Sequence, residues 1–223
     1  MAEICTPFWQ AFLRAREQDF CETLATDYVY SAGSDGTVRK IDSSGNQVWS
    51  FTGHTDAVYG VAVDSSGNVY SGGSDSTVRK IDSSGNQVWS FNVGAYAYVY
   101  GVAVDPSGNV YSADSDGKVR KIDSSGTQVW RFTGHTSIVN NVAVDSSGNV
   151  YSASTGELVR KIDSSGTEVW SFNNGGPSRA VAVALSGEVY SGGKVKKIDS
   201  DGAEIWSFIG FTGYNVAYDV AVG

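Results

Sequence analysis

Cysteine is nearly absent from this chain of 223 residues: Cys5 and Cys21 are the two, both ahead of residue 27. Whatever folds beyond them has no disulfide framework, which fits synthesis in a reducing cytoplasm. On a continuous helix the two thiols would stand about 24 Å apart, beyond the about 7 Å between Cα atoms that a disulfide tolerates, so free buried thiols are expected. No apolar run approaches the ~20 residues that span a bilayer. No basic leader with an apolar run and a small-residue cleavage site opens the chain, so no signal peptide is expected.

Histidine is equally scarce. His54 and His135 both sit in G-H-T segments, where a turn role outweighs catalysis. There is no Cys/His spacing for zinc, no glycine-rich phosphate loop and no nucleophile elbow. The recurrent D-S-S-G-N segments offer one carboxylate each, short of the ligand count of a calcium loop. The expectation is therefore a protein that is not an enzyme, with no cofactor and no metal. Lys and Arg total 16 against 24 Asp and Glu, a net charge of -8. That balance argues against sequence-independent binding to nucleic acid and for simple solubility.

What the chain has in quantity is repetition. A unit of about forty residues, V-A-V-D-S-S-G-N-V-Y-S-G-G-S-D-S-T-V-R-K-I-D-S-S-G-N-Q-V-W-S-F, recurs five times. Its Tyr anchors fall at Tyr30, Tyr70, Tyr111, Tyr151 and Tyr190, and its Trp anchors at Trp49, Trp89, Trp130, Trp170 and Trp206. Four short runs of period-two alternation divide each unit into strands A to D. In the second unit these are 58–63, 69–72, 77–82 and 87–91, separated by Asp, Ser and Gly clusters suited to short reversals. Repeats of this length with four short strands are the pattern of propeller blades, so an all-β fold with five blades over 27–223 is expected. The first unit lacks strand A, and the segment 216–222 has the strand A pattern. Pairing of that last segment with the first unit would close the ring and remove a free sheet edge.

Strand order assigns the loops to two ends. The A–B and C–D turns are nearly uniform, whereas the D–A loops differ: T-G-H-T-D, N-V-G-A-Y-A, T-G-H-T-S, N-N-G-G-P-S-R and I-G-F-T-G-Y-N. Loops that only reverse the chain stay alike, and loops that touch ligands diverge. The candidate ligand or partner surface is thus the variable end, with Tyr96, Tyr98, Arg179, Phe211 and Tyr214. Five basic pairs, Arg39–Lys40, Arg79–Lys80, Arg120–Lys121, Arg160–Lys161 and Lys196–Lys197, recur on strand C. Pairing with nearby Asp residues is the first reading, and an anion-holding ring the second.

The segment G-H-T-D-A-V-Y-G-V-A-V-D with V-Y-S-G-G-S-D-S-T-V-R-K-I-D resembles WD-repeat propellers. The resemblance implies a hydrogen-bonded set of His54, Ser71 and Asp75, with Ile81 where that family has Trp. Blade four keeps His135 but has Gly156 in the Asp position; blade three has Asp116 and no His. The segment I-D-S-S-G-N-Q-V-W-S-F is similar to quinoprotein-type blades, which implies that each outer-strand Trp docks on the neighbouring blade through ring and indole N–H. The adjacent Cys residues and metal ligands expected near a quinone are missing, so that cofactor is not inferred.

Residues 1–26 do not match a blade. Thr6–Pro7 reads as an N-cap and first helical position. Phe8, Trp9, Phe12, Leu13, Phe20 and Leu24 then recur near three- and four-residue intervals, giving an amphipathic helix. Its aromatic face would dock on its own propeller or on another subunit. The combined expectation is a binding or assembly module attached through this helix to a protein partner or to itself. Near-identical blades look like those of microbial or phage proteins that decorate particles, which would place the chain in the cytoplasm at synthesis and then in a virion. The alternative is a multivalent lectin similar to five-bladed tachylectin-like proteins, with aromatic side chains of the variable loops stacked on a glycan.

Overall fold

The computed structural model describes residues 28–208 together with Ala217 and Val220. These residues form five antiparallel sheets met in chain order. Blade one contains β1 (Val29–Ala32), β2 (Val38–Ile41) and β3 (Gln47–Phe51). Blade two contains β4 (Val58–Val63), β5 (Val69–Gly73), β6 (Thr77–Ile81) and β7 (Gln87–Asn92). Blade three follows with β8 (Val99–Val104), β9 (Val110–Asp114), β10 (Val119–Ile122) and β11 (Gln128–Phe132). Blade four has β12 (Val139–Val144), β13 (Val150–Ser154), β14 (Leu158–Ile162) and β15 (Glu168–Asn173). Blade five has β16 (Val181–Val183), β17 (Val189–Ser191), β18 (Val195–Ile198) and β19 (Glu204–Phe208). Each sheet is a meander, and each blade packs on the next as in a β-propeller.

The D-S-S-G-N turns explain themselves locally. In the turn after β4, Asp64 Oδ1 accepts the N–H groups of Ser66 and Asn68, both at 2.9 Å, while Gly67 takes a φ of 77°. The second carboxylate oxygen accepts Asn68 Nδ2 at 2.8 Å and the Tyr70 hydroxyl at 2.9 Å. Tyr111 and Tyr151 are held by Asp105 and Asp145 in the same way. One Asp thus closes the turn and fixes the large buried ring of its blade.

The joints between blades rest on tryptophan and glycine. Trp49, Trp89, Trp130 and Trp170 donate their indole N–H to the carbonyls of Ser83, Ser124, Ser164 and Ser200, at 3.0 to 3.1 Å. Beneath these rings lie Gly85, Gly126, Gly166 and Gly202, where an added Cβ would come within 2.9–3.0 Å of indole carbon. Those glycines also hold φ of 90° to 93°, so the position needs glycine for conformation and for contact. The buried apolar residues form four clusters, one at each joint from blade one to blade five. At the inner edge, Val58 N donates to Gly33 O, Ser178 N to Ser154 O, and Ala217 N to Gly193 O, at 3.0 to 3.1 Å. Ala217 therefore stands to blade five as Val58 stands to blade one. The equivalents of the Trp–Gly joint at the two ends are Trp206, 43% exposed, and Gly45, with no atom of the described residues within 4 Å of its Cβ position.

The expected helix over 1–26, with Phe8, Trp9, Phe12, Leu13, Phe20 and both cysteines, lies outside the described residues. So do most of the segment 216–222 and the candidate residues Phe211 and Tyr214.

Candidate functional site on the variable end

The D–A loops and B–C turns share one end of the blades, and there each blade is built differently. The common element is a serine on the second strand: Ser71, Ser112, Ser152 and Ser191 are all fully buried. In blade two, Ser71 Oγ lies 2.8 Å from His54 Nε2, and His54 Nδ1 lies 3.0 Å from the Asp75 carboxylate. Asp75 also accepts Thr55 N, Thr77 N, the Thr77 hydroxyl at 2.7 Å and Arg79 Nη2 at 3.3 Å. The three polar members implied by the resemblance are thus joined, with Thr77 and Arg79 completing the set. Burial lowers the His54 pKa, with the Asp75 hydrogen bond offsetting part of it. Burial raises the Asp75 carboxyl, but hydrogen bonds from Thr77 and His54 outweigh that and leave it below the usual range.

In blade three Ser112 bonds Asp114 at 3.1 Å, and Asp114 pairs with the buried Arg120 guanidinium. Burial pushes the Asp114 carboxyl up to about 7 against the pull of Arg120. Arg120 also reaches Asp116 at 3.0 Å and the Val93 carbonyl at 2.7 Å. In blade four Ser152 meets His135 Nε2 at 2.8 Å. In blade five Ser191 donates to Asn174 Oδ1 at 2.8 Å, and Asn174 Nδ2 donates to the carbonyls of Gly192 and Lys194. The Asn174 and Asp114 roles carry no motif in the sequence; only alignment of the repeats on the serine would have exposed them.

On the surface of this end the aromatic residues gather. Tyr98 meets Tyr100 edge to face, with centroids 6.4 Å apart, and Tyr100 lies 5.3 Å from Tyr59 at 31° between planes. Tyr59 is 48% and Tyr98 42% exposed. Tyr96 is 92% exposed and holds a left-handed φ of 63°, uncommon for a bulky residue. Tyr59, Tyr100, Asn140 and Arg179 occupy one register at the start of the inner strands of blades two to five. Arg179 is half-buried, and the Asn140 side chain donates to the Ser178 carbonyl at 2.9 Å. Of the expected residues, then, Tyr98 falls in the cluster, Tyr96 projects beside it, and Arg179 shares its register. Tyr59 and Tyr100 were not expected, because ring contact across blades depends on how two strands face each other.

The basic pairs meet partners within their own blades, and Lys161 Nζ also donates to the Ser200 carbonyl of blade five at 3.2 Å. Arg39, Arg79, Arg120, Arg160 and Lys196 meet Asp35, Asp75, Asp114, Glu168 and Glu204. The second residues, Lys40, Lys80, Lys121, Lys161 and Lys197, lie over the blade tyrosines with Nζ 5.5 to 5.7 Å from the ring centroids. The pairing with Asp expected first holds for Arg39, Arg79 and Arg120, whereas Arg160 and Lys196 meet Glu, and the geometry lends no support to an anion ring. Among the described residues no group of three or more metal-ligating side chains is assembled, and no helix is long and apolar enough to cross a membrane.

Two family models match the chain. One, described as WD domain, G-beta repeat, covers residues 45–82. The other, described as outer membrane protein assembly factor BamB, covers residues 74–208. Among curated proteins none matches. The longer match spans more than half of the sequence and all four Trp–Gly joints but the first, and the chain belongs to that quinoprotein-like repeat family.

Proposed function

We propose that this chain is a non-enzymatic protein-interaction propeller whose recognition surface is the variable end, centred on Tyr59, Tyr98 and Tyr100. The observation that carries the reading is that exposed tyrosine cluster, on the one end where the loops differ. Tyrosines supply large, stiff, amphipathic contact area and dominate binding energy at protein interfaces. The family description supports a binding role, since it names an assembly factor. In this proposal the segment 216–222 completes blade one, and residues 1–26 attach the module, through Phe8, Trp9, Phe12, Leu13 and Phe20, to a larger particle such as a virion.

The test is affinity capture with the full chain, comparing Tyr59→Ala and Tyr100→Ala with Ser84→Ala on the uniform end. Each tyrosine change should weaken a captured partner by about thirtyfold, the scale of an interface hot spot. Loss of the partner with Ser84→Ala alone would sink the assignment of the surface. A lectin is the second reading, favoured by the same exposed ring faces. Saturable binding on a glycan array that disappears in Tyr100→Ala would decide for it.

A further inference from the structure

Blades two and four share one turn. Ser76 and Glu157 hold the same left-handed backbone, φ 63° and 69°, and His54 and His135 reach their serines over the same 2.8 Å. In blade two that turn presents the Asp75 carboxylate to His54 Nδ1, and Arg79 Nε donates to Thr77 Oγ1 at 3.1 Å. Blade four has Gly156 in place of Asp75 and Leu158 in place of Thr77. Two buried nitrogens are left without a hydrogen-bond partner among the described residues: His135 Nδ1 and Arg160 Nε. They are the counterparts of the two atoms that end on Asp75 and Thr77.

The surroundings suit an acceptor. His135 is 6% exposed, and its Nδ1 is the atom that the replaced carboxylate would meet. A Cβ on Gly156 would stand 3.2 Å from Ser137 Cβ, 3.7 Å from Ser154 Oγ and 3.8 Å from Thr136 Oγ1, so hydroxyl-bearing side chains border the place. Gly156 itself is exposed, while the two nitrogens are buried. Arg160 Nη1 is held by Glu168, and its Nε is buried without a hydrogen-bond partner among the described residues. Burial first, and then the Arg160 charge, pushes His135 down to about 4, so at pH 7 the neutral ring offers an acid an N–H donor and the positive charge nearby is that of Arg160.

We propose that blade four accepts a carboxylate at Gly156: the acid that blade two carries as Asp75 is supplied to blade four from outside. The source is either a small free acid or the acidic group of a bound polypeptide, and the site stands whether or not the tyrosine cluster binds a protein. A hydrogen bond from His135 Nδ1–H, with help from Arg160, would hold the incoming oxygen as His54 holds Asp75.

The chain's two histidines provide an internal control. In the 15N-labelled full chain, sodium formate should move the imidazole signals of His135 saturably and leave those of His54, already facing Asp75, in place. Three heavy atoms limit the affinity to roughly 1 mM at best. Formate should also raise the thermal midpoint of the wild type, and Gly156→Asp should abolish both responses. If that variant fails to fold, His135→Gln identifies the moving signals instead. A short peptide with a free C-terminal carboxylate, set against its amidated form, tells the polypeptide source from the small acid. The proposal is overturned if neither formate up to about 100 mM, a hundredfold above that limit, nor the free-acid peptide shifts His135. It is equally overturned if sodium chloride at matched ionic strength produces the same shift.

Discussion

Four serines at one repeat position meet groups of three kinds: the imidazoles of His54 and His135, the Asp114 carboxyl and the Asn174 amide. A buried hydroxyl must find a partner, since an unmade hydrogen bond there costs about 1–3 kcal/mol. The position therefore constrains that some polar group arrives, while the D–A loop or strand end decides which one. That freedom lets this end vary without loss of the blade. His135 is the member with an unanswered cost, because nothing offsets its desolvation as Asp75 does for His54. With a folded-state pKa of about 4 against 6.5 unfolded, the unfolded chain binds a proton that the folded one refuses. Stability from this residue is present above pH 6.5 and is lost as pH falls toward 4, by about 3 kcal/mol. Asp114 acts in the opposite sense, since its raised carboxyl favours the folded state as pH falls through 7. The comparison that isolates His135 is denaturant unfolding of wild type and His135→Gln at pH 7.5 and at pH 4. The wild type should lose about 3 kcal/mol more than the variant, and equal losses would show that His135 titrates normally.

At the scale of the element, much was legible. Alternation places strand A of the second unit at 58–63, the residues of β4, and the other three strands differ by a residue at one end. The legible features were those set within a few residues, by alternation, by Asp and Gly in turns, and by Trp at fixed spacing. What stayed hidden spans two blades, as in the Tyr59–Tyr100 contact, or two segments of one blade, as in Asn174 with Ser191. Those depend on how strands and loops face each other, which no local pattern encodes. The Trp–Gly joint lies between these cases, since the resemblance implies Trp docking on the neighbouring blade, while the glycine beneath each ring comes from the structure. It also yields a prediction. Trp130→Ala removes a ring seated on Gly166 and a bond to Ser164, and should cost about 3 kcal/mol. If Trp206 seats on Gly45 as proposed for the closed ring, Trp206→Ala should cost the same. A cost below about 1 kcal/mol, the range for an exposed side chain, would show that the fifth joint is not made.

For the whole molecule, stability is distributed among like units. The four clusters of buried apolar residues lie between neighbouring blades, so each blade is stabilised by contact with the next more than by a single centre. An array of that kind frays from its ends, whereas a ring has no end to fray. Blade one is where the difference shows, because its described sheet has three strands and β1 pairs on one side with β2. Ala217 already exchanges two backbone hydrogen bonds with Gly193, at 2.9 and 3.1 Å, repeating the contact of Val58 with Gly33 on the far side of blade one. If the residues that follow pair with β1, deletion of 209–223 leaves an unpaired strand edge there. Hydrogen exchange should then find the β1 and β2 amides protected in the full chain and open in the truncated one, with β12 and β13 in blade four changed far less. Unchanged protection of β1 after the deletion would mean that the segment does not complete blade one, and the ring would have to be replaced by an open row of five blades with two sticky ends.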